Sequence, residues 1–127
     1  MNQFKTLHEI CRELGITRKV IQGYEKRELI KAYGKNAYGH LIYDLESEKM
    51  IKRIRFFQEL GFTLSEIKQI LNENDNDLIY FLNKKEDEFD RKIKMFKEKK
   101  KTIGNLSEFL IKNRKSDVMD YINTIKD

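Results

Sequence analysis

The sequence predicts a mainly α protein: four helices interrupted by one short β-hairpin, then a single long helix and a short C-terminal one. Three observations carry that expectation. The 127 residues contain no proline, so the strongest interrupter of helices is missing. Two Thr-x-x-Glu sequences, Thr6 with Glu9 and Thr63 with Glu66, have the form of capping boxes ahead of apolar runs. Leu82, Phe89, Phe96, Ile103 and Leu110 recur every seventh residue, the seam of a long helix.

From the N-terminus, Leu7, Ile10, Cys11 and Leu14 follow Thr6 at the spacing of one helical face. Gly15 supplies the left-handed residue that ends such a helix. Only Ile16 separates it from Thr17, an N-cap for a second helix running to about Arg27, with Val20, Ile21 and Tyr24 as its apolar residues. Two short helices joined by a glycine-containing turn form a helix-turn-helix. The stretch AYGKNAYGHLIY at 32–43 has no helical period. Its Gly34-Lys35-Asn36 piece, set between residues that favour extended backbone, predicts the turn of a β-hairpin or wing. Asp44 caps a third helix with Met50, Ile51, Ile54 and Phe57 as its buried stripe and Gly61 at its end. The second capping box opens a fourth through Leu64, Ile67, Ile70 and Leu71.

The run NENDND at 72–77 favours turns and caps, so a boundary belongs there. The expected segments are 1–73, a small helical domain with the hairpin; 74–115, a long helix; and 116–127, a short last helix. The long helix should begin near Leu78 and, at about 35 residues, extend roughly 50 Å. Its d positions are the five heptad residues above, whereas the a positions Ile79, Glu86, Ile93, Lys100 and Ser107 are only partly apolar. One helix cannot bury such a stripe alone, so a second chain is the natural partner. Ser116 is the expected cap of the last helix, which carries Val118, Met119, Ile122 and Ile125 and can fold back on the long one. Contact among Phe109, Met119 and Tyr121 reads as part of that fold-back rather than as a ligand pocket.

Charge separates the two parts. Residues 1–72 hold 13 basic and 9 acidic side chains, net +4, whereas residues 73–127 hold 13 and 12, net +1. Within residues 5–43, Lys5, Arg12, Arg18, Lys19, Lys26, Arg27, Lys31 and Lys35 face only four glutamates. Aromatic and small polar residues interleave with them, as on a surface that neutralises phosphates. The lysines at 97, 99, 100 and 101, with Glu98 among them and the acidic run 86–88 on the same helix, read as solvated or interchain pairing charge. With no apolar run long enough to cross a bilayer and no hydrophobic leader, a cytoplasmic protein without membrane contact is expected. A single cysteine excludes an internal disulfide and a multi-thiolate site. Cys11 reads as a small buried hydrophobe. His8 and His40 are too far apart in sequence to suggest a metal site. Neither a cofactor nor a metal is expected, and no phosphate loop, HExxH helix or nucleophile elbow points to an enzyme.

An ordered set of short stretches over residues 4–72 resembles the DNA-binding domain of the MerR family of bacterial transcription regulators. These are Glu9-Ile10-Cys11 with Leu14-Gly15-Ile16-Thr17-Arg18, Tyr24-Glu25 and Leu29-Ile30, Tyr38-Gly39 with Ile42-Tyr43-Asp44, and Leu60-Gly61-Phe62 with Leu64, Glu66-Ile67 and Ile70-Leu71. The long segment that follows resembles that family's dimerisation helix. Departures fall at Gln22 and Gly23, where the family has an aromatic or basic pair, at Glu28 in place of a glycine, and at His40 in place of a wing arginine.

The resemblance implies a winged helix-turn-helix followed by an antiparallel coiled-coil arm, working as a homodimer on double-stranded promoter DNA. Thr17, Arg18, Lys19, Gln22 and Lys26 are the candidate contacts of the recognition helix. Tyr24 is a candidate for a phosphate contact or for the core, and Lys35, Asn36, Tyr38 and His40 are candidate wing contacts to the DNA backbone. Leu82, Phe89, Ile93, Phe96, Ile103 and Leu110 are the candidate dimerisation residues. The family's mechanism further implies distortion of an overlong promoter spacer, so that RNA polymerase engages both promoter elements. A different class, a coiled-coil interaction protein whose basic head docks acidic partners without reading DNA, is the alternative.

Overall fold

Helix ends follow their capping chemistry closely in the computed structural model, which describes residues 4–72 and 74–126. Glu73, at the expected first boundary, and Asp127, at the end of the last segment, lie outside the described residues. The chain divides into two units, Met1–Asp77 and Leu78–Asp127.

In the first unit, strand β1 (Lys5–Thr6) leads directly into helix α1 (Leu7–Leu14), followed by α2 (Arg18–Lys26). Strands β2 (Gly34–Lys35) and β3 (Leu41–Tyr43) come next, then α3 (Leu45–Glu59) and α4 (Leu64–Leu71). Both expected capping boxes are closed in both directions. The Glu9 N–H donates to Thr6 Oγ1 at 3.2 Å and the Thr6 N–H to Glu9 Oε1 at 3.1 Å. The matching distances at Thr63 and Glu66 are 3.2 and 2.8 Å. Capping draws the Glu9 carboxyl below its ordinary range, because the ionised form accepts the Thr6 N–H. Asp44 caps α3 by accepting the Ser47 N–H at 2.9 Å. Gly15 ends α1 at φ +65, the left-handed conformation that glycine adopts without penalty.

Two local expectations are corrected. The wing turn lies one step later than the Gly34-Lys35-Asn36 reading. Gly34 and Lys35 are strand residues paired with Ile42 and Leu41, and the chain reverses over residues 36–40. There the Asn36 carboxamide oxygen accepts the N–H groups of Tyr38 and His40, both at 3.0 Å, and Gly39 takes φ +80. An Asx side chain that mimics backbone in this way moves the turn onto itself. The hairpin is also not isolated. Strand β1 pairs antiparallel with β3, Lys5 opposite Tyr43 and Thr6 opposite Ile42, giving the order β1-β3-β2.

The core of this unit rests on Ile10, Ile21, Tyr24, Tyr43, Ile51, Ile54 and Ile67. Both buried tyrosines satisfy their hydroxyls on polar side chains: Tyr24 donates to Gln58 Oε1 at 2.6 Å and Tyr43 to Glu25 Oε1. Burial pushes both phenols up from their ordinary range, with the Glu25 carboxylate adding to the shift at Tyr43. Glu48, only 8% exposed, is a buried carboxylate that accepts from Lys5 Nζ at 2.8 Å. The Arg55 guanidinium donates to the Leu14 carbonyl, covering an acceptor that the end of α1 leaves without a helical partner. Of the expected buried stripe of α3, Ile51 and Ile54 are buried, whereas Met50 and Phe57 are half-buried, and the Phe57 and Phe62 rings meet edge to face at 5.7 Å between centroids.

The second unit is built on α5 (Asp75–Lys112), from Leu78 onward, and α6 (Val118–Ile125). Helix α5 starts three residues before the expected Leu78. Asn74 Oδ1 accepts the Asp77 N–H at 3.0 Å, so the run read as a boundary also supplies the cap. Its 38 residues extend about 57 Å. At the other end it stops at Lys112, where Asn113 donates both its N–H and its Nδ2 to the Phe109 carbonyl, each at 2.9 Å. The cap of α6 is Asp117 rather than Ser116, because Asp117 and Asp120 form a reciprocal capping box at 2.9 and 3.0 Å. Helix α6 does fold back: the Phe109 and Tyr121 rings meet edge-on at 5.4 Å, while Met119 stays exposed.

Candidate nucleic-acid interface

The candidate surface is built from α2 outward. Thr17 caps that helix, its Oγ1 accepting the Val20 N–H at 3.2 Å, which puts Arg18 and Lys19 in the first turn. Ile21 and Tyr24, three apart, are buried and anchor the inner side. Arg18, Gln22 and Lys26, four apart, are therefore one exposed stripe, with Lys19 beside it. No carboxylate belongs to this stripe, and its side chains are cationic or amide donors.

The wing supplies a second group. Lys35 is exposed on β2, and Tyr38 stands out at 85% exposure at the turn, its ring centroid 6.4 Å from that of His40. Asn36 is half-buried, and its carboxamide oxygen is committed to the turn. Its role is to shape the wing. His40 reaches the helix-turn-helix: it lines a recess of about 410 Å³ together with Arg18 and with Thr6, Leu7, His8 and Leu41.

The sequence-based set thus separates by position. Arg18, Lys19, Gln22, Lys26, Lys35, Tyr38 and His40 are exposed, and the Thr17 hydroxyl is occupied as a cap. Tyr24 is different, at 1% exposure with its hydroxyl spent on Gln58. It holds α2 against α3, and the core alternative describes its place. Lys5, counted among the basic residues of this region, is held between Glu13 at 2.6 Å and Glu48 at 2.8 Å. Those two carboxylates raise its ammonium well above the ordinary lysine range. Its charge ties the start of the chain to α1 and α3.

His8 was missed as a surface partner of Arg18, and no sequence signal could have supplied it, because its neighbour His40 arrives through the β1–β3 pairing. Glu28 explains its own departure. It sits at φ +60, the one non-glycine left-handed residue among those described, at a position where a glycine would be unstrained. Its carboxylate lies 3.8 Å from Lys68 Nζ.

A helix-turn-helix with a three-stranded wing sheet and an exposed cationic stripe defines a winged helix-turn-helix protein of the transcription-regulator class. Residues 5–74 match the MerR HTH family regulatory protein model, more than half of the chain, and the protein belongs to that family. Among curated relatives, the mercuric resistance operon regulatory protein of Bacillus cereus is 28% identical over 112 residues, 84% of this chain and 85% of that protein. Three further curated relatives, nodulation proteins NolA of Bradyrhizobium, are longer, the chain spanning 27% to 34% of their length. Among solved structures, MtaN, the N-terminus of the Bacillus subtilis multidrug transporter activator, superposes with a TM-score of 0.72 at 23% identity, covering 80% of this chain and 95% of that one. HiNmlR, a MerR family regulator lacking the sensor domain and bound to promoter DNA, does so at 0.58 and 15% identity, covering 87% and 89%. At these identities the structures establish the fold. Among the described residues no helix is long and apolar enough to cross a membrane.

Proposed function

We propose that the protein is a sequence-specific transcription regulator that binds an inverted-repeat operator as a homodimer. The carrying observation is the Arg18–Gln22–Lys26 stripe, exposed on a helix whose opposite side is locked into the core by Ile21 and Tyr24. Presented to a major groove, Arg18 and Lys19 can donate to guanine or phosphate and Gln22 can pair with adenine. Lys35, Tyr38 and His40 reach backbone phosphates from the wing. In this reading residues 1–73 bind DNA and 74–115 dimerise, with 116–127 completing the arm. Leu82, Phe89, Ile93, Phe96 and Ile103 are all exposed along α5, and Leu110 is half-covered. Such a row calls for a second copy in an antiparallel coiled coil. The promoter-bound HiNmlR supports DNA as the ligand by family membership. Distortion of an overlong spacer, costing a few kcal/mol, would then let RNA polymerase engage both promoter elements.

Selection of duplexes from a random pool, followed by footprinting on the selected site, tests this. The expected result is a protected inverted repeat with hypersensitive bases at its centre. Protection without hypersensitivity would remove the distortion and leave occlusion of the promoter. Weak, sequence-independent binding that vanishes at moderate salt would overturn the regulator reading in favour of a basic docking head. Arg18→Ala should cost about 1–3 kcal/mol per half-site in operator affinity and leave the sedimentation coefficient of the dimer unchanged.

A further inference from the structure

Two histidines that the sequence separates share one recess with the first basic residue of the recognition helix. His8 stands in the first turn of α1, His40 at the end of the wing turn and Arg18 in the first turn of α2, and all three line the same cavity. The juxtaposition is fixed by backbone. Thr6 pairs with Ile42 across the β1–β3 ladder, placing the start of α1 beside the base of the wing. His40 is held further by its N–H to Asn36 Oδ1 at 3.0 Å and by its carbonyl, which accepts the Asn36 N–H at 2.9 Å.

The ionisable residues that line this recess are all basic. Arg18, His8 and His40 are the ionisable residues of its lining, and no carboxylate belongs to it. From the elements packed on it, the nearby acids are already engaged. The Glu9 carboxylate is turned to the Thr6 N–H, and Glu13 and Glu48 hold Lys5. Tyr38, beside the His40 ring, and the exposed Lys35 are further titratable residues of the wing. Leu7 and Leu41 complete the walls with apolar surface. A cavity with one permanent cation, two conditional ones and no anion of its own calls for an anionic occupant.

We propose that this recess receives a backbone phosphate of the operator, and that His8 and His40 hold it when protonated, so that operator affinity rises as the pH falls. The proposal rests on the DNA-binding reading above and adds His8 to the surface. Imidazole ordinarily changes charge between pH 5 and 8. A histidine that gains a phosphate partner binds its proton more tightly in the complex than in the free protein. Binding then takes up protons, and affinity declines with rising pH across that interval. If the phosphate raises each proton affinity about tenfold, each histidine contributes up to about tenfold in operator affinity per half-site.

The test uses the full chain and a duplex selected at pH 7.5, with fluorescence anisotropy at constant ionic strength at pH 6, 7 and 8. The wild-type protein should bind about tenfold or more tightly at pH 6 than at pH 8. His8→Gln and His40→Gln should each flatten the slope, and the double variant should abolish it. A double variant that keeps the wild-type slope overturns the proposal while leaving DNA binding intact. Failure of the wild-type protein to select any duplex overturns the DNA-binding reading and this proposal with it. The imidazole proton resonances separate the sources of phosphate. Their titration midpoints should move upward with the duplex and stay in place with inorganic phosphate at the same phosphate concentration. An equal response to both would make the recess a general anion site and overturn its assignment to DNA.

Discussion

The two units treat apolar surface in opposite ways. In the first, isoleucines from all four of its helices and Tyr24 and Tyr43 are sealed, and their polar neighbours Gln58, Glu25 and Arg55 satisfy the groups that burial would strand. In the second, among the described residues, no hydrophobic side chain is buried. The buried side chain there is Lys85, whose Nζ lies 2.7 Å from Glu88. Phe96 and Ile103, at 60% and 67% exposure, belong to the heptad row that should be most protected in a coiled coil. A chain that closes one core completely and leaves a regular stripe open has divided two kinds of stability. In the proposed homodimer the first is intrinsic to the chain and the second depends on its concentration.

The sharpest break of that contrast is a charge in the stripe. Phe96→Asp should weaken self-association by about 4 kcal/mol or more, because an unpaired carboxylate would be buried in both copies. Sedimentation equilibrium at micromolar protein should show a monomer in place of the dimer. An unchanged dimer would mean that α5 is not the seam. Ile51→Ala comes next, with a cost of about 2–5 kcal/mol in urea unfolding from the cavity left by a fully buried side chain. The loss should persist at every protein concentration, as a core independent of the second chain requires.

Two backbone substitutions sharpen the account of the first unit and should have opposite signs. Gly15→Ala keeps open space around the new methyl but forces alanine to φ +65. The left-handed penalty of about 1–2 kcal/mol, reduced by the smaller entropy of the unfolded alanine chain, leaves a net loss of about 1 kcal/mol. Glu28→Gly relieves the same strain at φ +60 and gives up an exposed ion pair at 3.8 Å. A net gain of about 0.5 kcal/mol in unfolding free energy is expected. A loss at Glu28→Gly would show that the Lys68 pair outweighs the backbone.

The sequence disclosed most where the physics is local. Thr6, Thr17, Asp44 and Thr63 cap helices because their partners lie three residues away, a distance that a linear reading spans. The exposed stripe of α2 was legible for the same reason, through its spacing of four. What escaped depends on distant segments meeting. A two-residue strand at Lys5–Thr6 carries no pattern of its own and exists only because Ile42 and Tyr43 lie alongside. Arg55, Gln58 and Glu25 look like surface residues until the fold shows what they satisfy. Tyr24 allowed two readings because its ring is amphipathic, and its burial shows which one the fold uses. The run at 72–77 is a boundary and a cap at once, as its Asn and Asp residues suggest, but nothing in it marks Asn74 as the residue that opens the helix.

The position of β1 also bears on the order in which the protein is assembled. Its partner strand lies more than thirty residues downstream, so the ladder closes the longest loop of the sheet. The capped helices and the β2–β3 turn, by contrast, need only near neighbours. Loop-closure entropy delays contacts of high sequence separation until other structure has formed. The recess between α1 and the wing, the edge of the proposed DNA surface, is therefore completed late. Weakening the Thr6–Ile42 pairing should accelerate unfolding in stopped-flow chevrons and leave the folding limb nearly unchanged.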